Sequence, residues 1–472
     1  MIQKELFSWN RFEWSLFLFI FISIVFFIGF FPGWNELSRL DLVFSIVDQG
    51  QLNIDSYWNQ PGYATQDLAY YNGHYYCDKS PILSFLAVPF YWLWRQLGDI
   101  FGIYFIPVKS RLLITPFLIT LPAAILSVWF YRFLGYIRTD PVNQYVLTMF
   151  YSLGTIAFPF SYLFFSHVPA TFFIFGGFFI LFLMLSKTSS ESASKKPIYL
   201  LIAGLMTGLG FSAEQPTGII LAGILGYLYY RLRDKKRIFW FLLGVLPPLI
   251  IVMWYNYTCF GNIFASGYRY EYNPVFQSNM SKGFMGITYP KWQAFWGTSF
   301  SPYRGLFFYS PFLLFAIPGF YRFIGDKKFK AEGILFLLIV VGFFYFNISY
   351  YAWHGGWSIG PRHIIPMLPF LVIPIYTLLP EWKKWVWGLG ILSVFIMSLC
   401  CFAGSLFPEE AKNPLISFVY PHLKEGLFSQ NILIYLRIWR PYTALIWLIF
   451  VVTGTSILYQ KAKSIRVTSV DG

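Results

Sequence analysis

The feature that most constrains this chain is the recurrence of apolar runs of about 20 residues, the length of helix needed to cross a hydrocarbon core. They lie near residues 13–33, 111–131, 142–160, 167–186, 197–212, 216–231, 238–258, 306–325, 332–350, 363–380, 384–404 and 441–459. Backbone polar groups inside lipid must be satisfied within the chain, so only helices or closed barrels span. The runs lack the turn-separated alternation of barrel strands. They predict an all-α polytopic membrane protein, a bundle of about 12 to 13 transmembrane helices. A 57% hydrophobic and only 12% charged composition agrees. The run at 82–97 is short for a span, and the sequence leaves it open as crossing, re-entrant or lateral. The opening MIQKELFSWNR leads into an apolar run without a small-residue cleavage pattern and reads as a retained first helix.

The net charge of +14 would suggest a nucleic-acid partner in a soluble protein. Here many Lys and Arg sit in short loops between apolar runs, where they orient helices, so no nucleic acid is expected. With 82–97 not crossing, YRFLGYIRTD, SKTSSESASKK, RLRDKKR, YRFIGDKKFK, EWKK and the tail QKAKSIR all fall on the N-terminal side. The opposite, extracytoplasmic face receives 34–81, 259–304, 350–363 and 407–438. The chain reads as a single membrane domain, 1–472, whose loops 34–81, 259–304 and 350–363 build one site. Such asymmetry suits an extracytoplasmic enzyme better than a transporter with two similar halves. Cys77, Cys259, Cys400 and Cys401 show no metal-ligand spacing and no disulfide framework.

The charge-rich stretch Trp34–Pro81 holds most of the chemistry. In Leu37–Val47, apolar Leu37, Leu40, Phe44 and Val47 recur at helical spacing opposite Ser38, Asp41, Ser45 and Asp48. This predicts an amphipathic helix at the membrane surface that presents Glu36 and Arg39 on one face at the mouth of the first span, its charges either serving a site or merely facing water. Asp55 and Asp67 follow on turn-rich loops, and Asn72-Gly73 reads as a tight turn between short aromatic stretches, with His74 beyond it. Asp78-Lys79 before Pro81 places a point cation at a helix entrance, able to hold a phosphate or to snorkel to headgroups.

Farther on, His167 begins an apolar run and reads first as a capped, satisfied histidine, while Glu214, in a short break at the membrane boundary, reads either as a functional carboxylate or as a marker of the turn. In the stretch 350–363, Gly355 and Gly356 allow close backbone approach, and Trp353 and Trp357 offer flat faces of the kind sugars stack on. Arg362 supplies a planar fork for phosphate, with His363 beside it.

These motifs together resemble the GT-C glycosyltransferases that use a polyprenyl-phosphate sugar donor, the group containing protein O-mannosyltransferases and the lipid A aminoarabinose transferase. It is most similar to the bacterial phospholipid-carrier-dependent type. The resemblance rests on Ser38-Arg39, Gly50 to Asp55, Gly73 to Tyr76, Asp78 to Pro81, Phe260 to Tyr268, Gly305 to Pro311 and Gly355 to Arg362, in that order along the chain up to about Pro380. It implies inverting sugar transfer in a bacterial inner membrane, on the periplasmic or extracellular face, from a polyprenyl-phosphate sugar to a lipid, glycan or protein acceptor. It also implies help from a divalent cation, Mg or Mn. The family's acidic pair begins with Asp, where this chain has Asn35. The base is then Glu36, favoured by position, or one of Asp55, Asp67 and Asp78. Lys79, Arg362 and Arg39 are the expected phosphate ligands, and His74, Trp353, Trp357 and His363 the substrate-binding residues. The alternative is a polyprenyl-linked glycan transporter or flippase, in which the same cations hold phosphate without a catalytic acid. A noncatalytic scaffold explains the hydrophobicity but not the loop pattern.

Overall fold

The computed structural model describes residues 2–29, 32–102, 106–186 and 196–468, so most of the loop SKTSSESASKK lies outside the described residues. Among the described residues, six segments are long and apolar enough to cross a membrane: Pro107–Ile137, His167–Leu185, Lys235–Phe260, Lys330–Ser349, Arg362–Ala403 and Arg440–Arg466. The chain is a mostly helical integral membrane protein. Other expected spans appear as shorter helices, such as α1, Arg11–Val25, and the helix Pro141–Gly154, which is buried along its whole length. A helix enclosed by its neighbours need not match the thickness of lipid.

Side-chain contacts sort the loops between two ends of the bundle. At one end, Lys328 donates to the carbonyl of Tyr136 at 3.1 Å, Tyr376 to that of Arg138 at 2.8 Å, and Arg231 pairs with Glu332 at 3.2 Å. Arg132 pairs with Glu13 at the start of α1 at 2.6 Å. These are the basic loops that charge placed together. At the other end lies α2, Trp34–Gln49, whose Glu36 pairs with Arg111 at 2.7 Å. Arg111 opens the segment that runs to Ile137 at the basic end. The intervening helix α3, Ile82–Phe101, therefore returns to the end where it began and does not cross. It lies along α2, with the Tyr91 ring 4.7 Å from Phe44 and the Tyr91 hydroxyl donating to Asp48 at 2.8 Å.

The α2 helix forms where periodicity puts it, and Gly50 closes it with φ 67°, a left-handed backbone suited to glycine. Its setting differs from the expectation. Glu36, Ser38, Asp41 and Ser45 are each 0% exposed, so the polar stripe is enclosed by protein over most of its length and reaches the surface only at Asp48. Both oxygens of Asp41 lack hydrogen bonds, and burial pushes its carboxyl well above the usual range. Beyond Gly50 the predicted turn at Asn72-Gly73 joins strands β1, Leu68–Tyr71, and β2, His74–Cys77, with Leu68 opposite Cys77. Asn72 and Gly73 have φ of 50° and 87°, the signature of a tight hairpin.

One continuous apolar core fills the bundle, with Phe133, Phe178, Phe336 and Phe370 in mutual ring contact. Helices Pro197–Ala213 and Ile238–Phe260 meet through glycine. A Cβ on Gly204 would lie 2.0 Å from the carbonyl oxygen of Phe241, and one on Gly244 2.1 Å from that of Leu201. Small residues let the backbones touch, the usual basis of helix packing in lipid.

Two outcomes follow for stability. Arg111→Ala leaves Glu36 charged and enclosed, so unfolding of the detergent-solubilised chain should lose about 3–5 kcal/mol; unfolding at the wild-type midpoint would contradict the pairing. Gly204→Ala should cost roughly 1–3 kcal/mol by forcing the two helices apart, read in the same thermal unfolding assay.

Candidate active site

The three loops singled out by sequence meet at one cavity of about 380 Å³. From 34–81 come Asn35, Arg39, Asp67 and Lys79; from 259–304 Tyr268 and Glu271; from 350–363 His354, Arg362 and His363. A second, more apolar lobe of about 420 Å³ shares Asn35, Asp67 and Arg362 and adds Trp34, Phe165, Trp357 and Leu406. Asp67 and Arg362 thus stand at the junction of a polar and an apolar chamber.

Lys79 is 7% exposed and salt-bridges both Asp78 and, at 3.3 Å, Asp67. Burial opposes its charge, but those two carboxylates hold the ammonium protonated, above the ordinary lysine range. Asp67 accepts from the Asn35 amide at 3.3 Å. Burial would raise its carboxyl, yet Lys79, Arg362 and Arg39 hold it below the usual carboxylate range. Arg39 donates to Asn35 and, at 3.1 Å, to Ser166, whose hydroxyl donates to Glu214. Arg362 stacks over the Phe165 ring at 5.1 Å and leaves its Nε without a hydrogen bond. Gly355, with φ 77°, passes so close to the Arg362 side chain that a Cβ would lie 3.0 Å from its Cγ. A half-buried guanidinium with an unpartnered Nε beside a buried ammonium is an arrangement suited to a phosphate.

The structure separates the other sequence candidates. Glu36 does not line the cavity: its Oε1 accepts from Arg111 at 2.7 Å and from the Phe164 amide at 2.8 Å, and its Oε2 from the Gly33 amide at 3.0 Å. Both Glu36 oxygens are therefore taken up by protein donors away from the cavity, whereas Asp67, another of the loop acids named as candidate base, lines it. Asp55 binds His74 at 2.6 Å and the Tyr75 amide at 2.7 Å on the outer side of the hairpin, so Asp55 and His74 form a pair apart from the cavity. Asp78, 2% exposed, lies beneath Lys79 and accepts from Ser38 at 3.0 Å. Trp353 packs against Gly297 and Tyr303, behind the cavity wall, whereas Trp357 is 56% exposed on the apolar lobe.

Two groups were underweighted by sequence. His167 and Glu214 are not merely a cap and a turn: His167 Nδ1 lies 3.1 Å from Glu214 Oε2, and both line the cavity with His363. Burial opposes ionisation of Glu214, but His167, Ser166 and His363 hold it well below the usual range. Glu271 carried no sequence signal. It reaches the site because Gly267 packs on Asp78, where a Cβ would sit 2.6 Å from Cα, and Ala69 of β1 pairs with Glu271. Burial and the Asp78 charge push Glu271 far above the carboxylate range, so it stands protonated beside Lys79.

No protein-family description matches the chain, and no curated protein matches it in sequence. Solved structures do. ArnT from Cupriavidus metallidurans in the apo state is 14% identical, with 96% of this chain and 76% of that one covered and a TM-score of 0.49. The same protein bound to undecaprenyl phosphate is 14% identical, with 97% and 78% covered and a TM-score of 0.46. The archaeal oligosaccharyltransferase AglB from Archaeoglobus fulgidus, in complex with an inhibitory peptide and a dolichol-phosphate, is 13% identical, with 96% and 56% covered and a TM-score of 0.45.

Proposed function

We propose that the chain is an integral membrane glycosyltransferase of GT-C type, a bundle of about 12 to 13 spans that transfers a sugar from a polyprenyl-phosphate donor to a lipid, glycan or protein acceptor, with inversion. The supporting observation is the junction itself: Lys79 and the unpaired Arg362 flank Asp67 where a polar chamber opens into an apolar one. The polar chamber suits the sugar phosphate, and the apolar lobe, with Trp34 and Trp357, suits the prenyl chain or the acceptor.

In this reading the acceptor oxygen attacks the anomeric carbon from the face opposite the phosphate. Its proton passes to the Asp67 carboxylate as the new C–O bond forms. The electron pair of the breaking C–O bond leaves with the polyprenyl phosphate, and Lys79 and Arg362 meet the charge that grows there. Arg39 keeps Asn35 and Ser166 in place around Asp67. In this proposal the protein sits in a bacterial inner membrane with the cavity on the outer face, a placement that the gathering of basic loops at the other end supports as far as orientation goes.

The residues do not fit a magnesium ion on the loop acids. Asp67 and Asp78 both pair with Lys79, and a cation there would have to displace that ammonium. No step is assigned to such an ion.

Lys79→Ala and Arg362→Ala should each lower transfer from a polyprenyl-phosphate sugar by roughly 10²–10³-fold, Arg362→Ala with an unfolding midpoint close to wild type and Lys79→Ala with a lowered one because Asp78 and Asp67 lose their counter-charge; wild-type turnover in both sinks the phosphate assignment. Among the acids, Asp67→Asn should lose about 10²–10⁴-fold in rate, while Asp55→Asn stays near wild type. The reverse order, in initial-rate assays of purified protein, would move the base out of the cavity.

A further inference from the structure

We infer that His167, Glu214 and His363 form a binding site for one divalent transition-metal ion of the zinc or manganese class. The three come from separate parts of the chain: His167 opens the helix to Leu185, Glu214 ends the helix from Pro197, and His363 lies in the turn Arg362–Met367. Their donor atoms all lie within 4.8 Å of one another on the wall of the polar chamber. Three protein ligands with a side open to a cavity is the pattern of a site that keeps a position for water or substrate. Two imidazoles and one carboxylate favour zinc, manganese, iron or cobalt over magnesium, which prefers oxygen.

A second observation points to a ligand. His167 is 4% exposed, yet its Nδ1 makes no aligned hydrogen bond despite standing 3.1 Å from the Glu214 carboxylate, and His363 Nε2 is likewise buried without a partner. Leaving buried polar nitrogens unmatched is costly, and a metal ion satisfies both. Glu214 is already aimed by the Ser166 hydroxyl, which Arg39 holds in turn, the kind of outer support that orients a metal-binding carboxylate. The site stands on its own donors and does not depend on sugar transfer.

The test uses the full purified chain in detergent, stripped with a chelator and titrated with zinc chloride and, separately, manganese chloride, by calorimetry and by elemental analysis after desalting. One equivalent of metal is expected. His167→Ala, Glu214→Gln and His363→Ala should each weaken binding by about tenfold or more, while Asp67→Asn binds as wild type. No stoichiometric binding of either metal, or binding that the three substitutions leave intact, overturns the inference; so does loss in Asp67→Asn alone, which places the ion on the loop acids. Because a variant could misfold, pulsed electron paramagnetic resonance of manganese in the unsubstituted chain supplies a second readout. Coupling to two imidazole nitrogens is expected, and its absence overturns the site.

Discussion

The buried Glu36 carboxylate is the constraint on which the rest of the site depends. It receives Arg111 from the first residues of one spanning segment, the Phe164 amide from the loop before another, and the Gly33 amide from its own helix start. One side chain thereby ties α2 to two parts of the bundle. With α2 fixed, Asn35 and Arg39 are delivered to the cavity, and the path from Arg39 through Ser166 to Glu214 follows. A charge enclosed this fully is stable only with all partners present. Its visible work is to hold α2 in place.

Within the cavity the charges nearly balance. Lys79, Arg39 and Arg362 face ionised Asp67 and Glu214 with Asp78 beneath, and Glu271 escapes a further negative charge by remaining protonated. In an enclosed site such interactions are far stronger than in water. Lys79 is neutralised by its two aspartates, whereas Arg362 has only an aromatic ring beneath it and an unsatisfied Nε. An arriving phosphate would complete Arg362 and draw Lys79 away from Asp67, freeing that carboxylate at the moment a substrate is seated.

Much of this was legible in the residues. The apolar runs gave the helical membrane class, the basic loops gave the two ends, and Asn72-Gly73 gave the hairpin that presents Asp78 and Lys79. Lys79 and Arg362, named from local chemistry, and Arg39, Asp67 and His363, named through the family resemblance, converge on the cavity. What the residues could not give was what covers each face. Periodicity predicts that Ser38, Asp41 and Ser45 share a side of α2, but not that the protein encloses that side. The same limit let Glu36 stand as a base, since its partners Arg111 and Phe164 are remote in the chain. Asp55 and Asp67 sit on one turn-rich stretch, and only the pairing of β1 with β2 sends one outward to His74 and the other inward. His167, Glu214 and His363 each look ordinary alone and acquire meaning by tertiary proximity.

The most direct test of the central claim is where a polyprenyl phosphate binds, read from an experimental structure of the chain with that lipid. The account predicts its phosphate oxygens within about 4 Å of both Lys79 Nζ and the Arg362 guanidinium, with the prenyl chain leaving through the lobe lined by Trp34 and Trp357. A phosphate seated instead among the basic loops at the opposite end, near Arg132, Arg231 or Lys328, would contradict it.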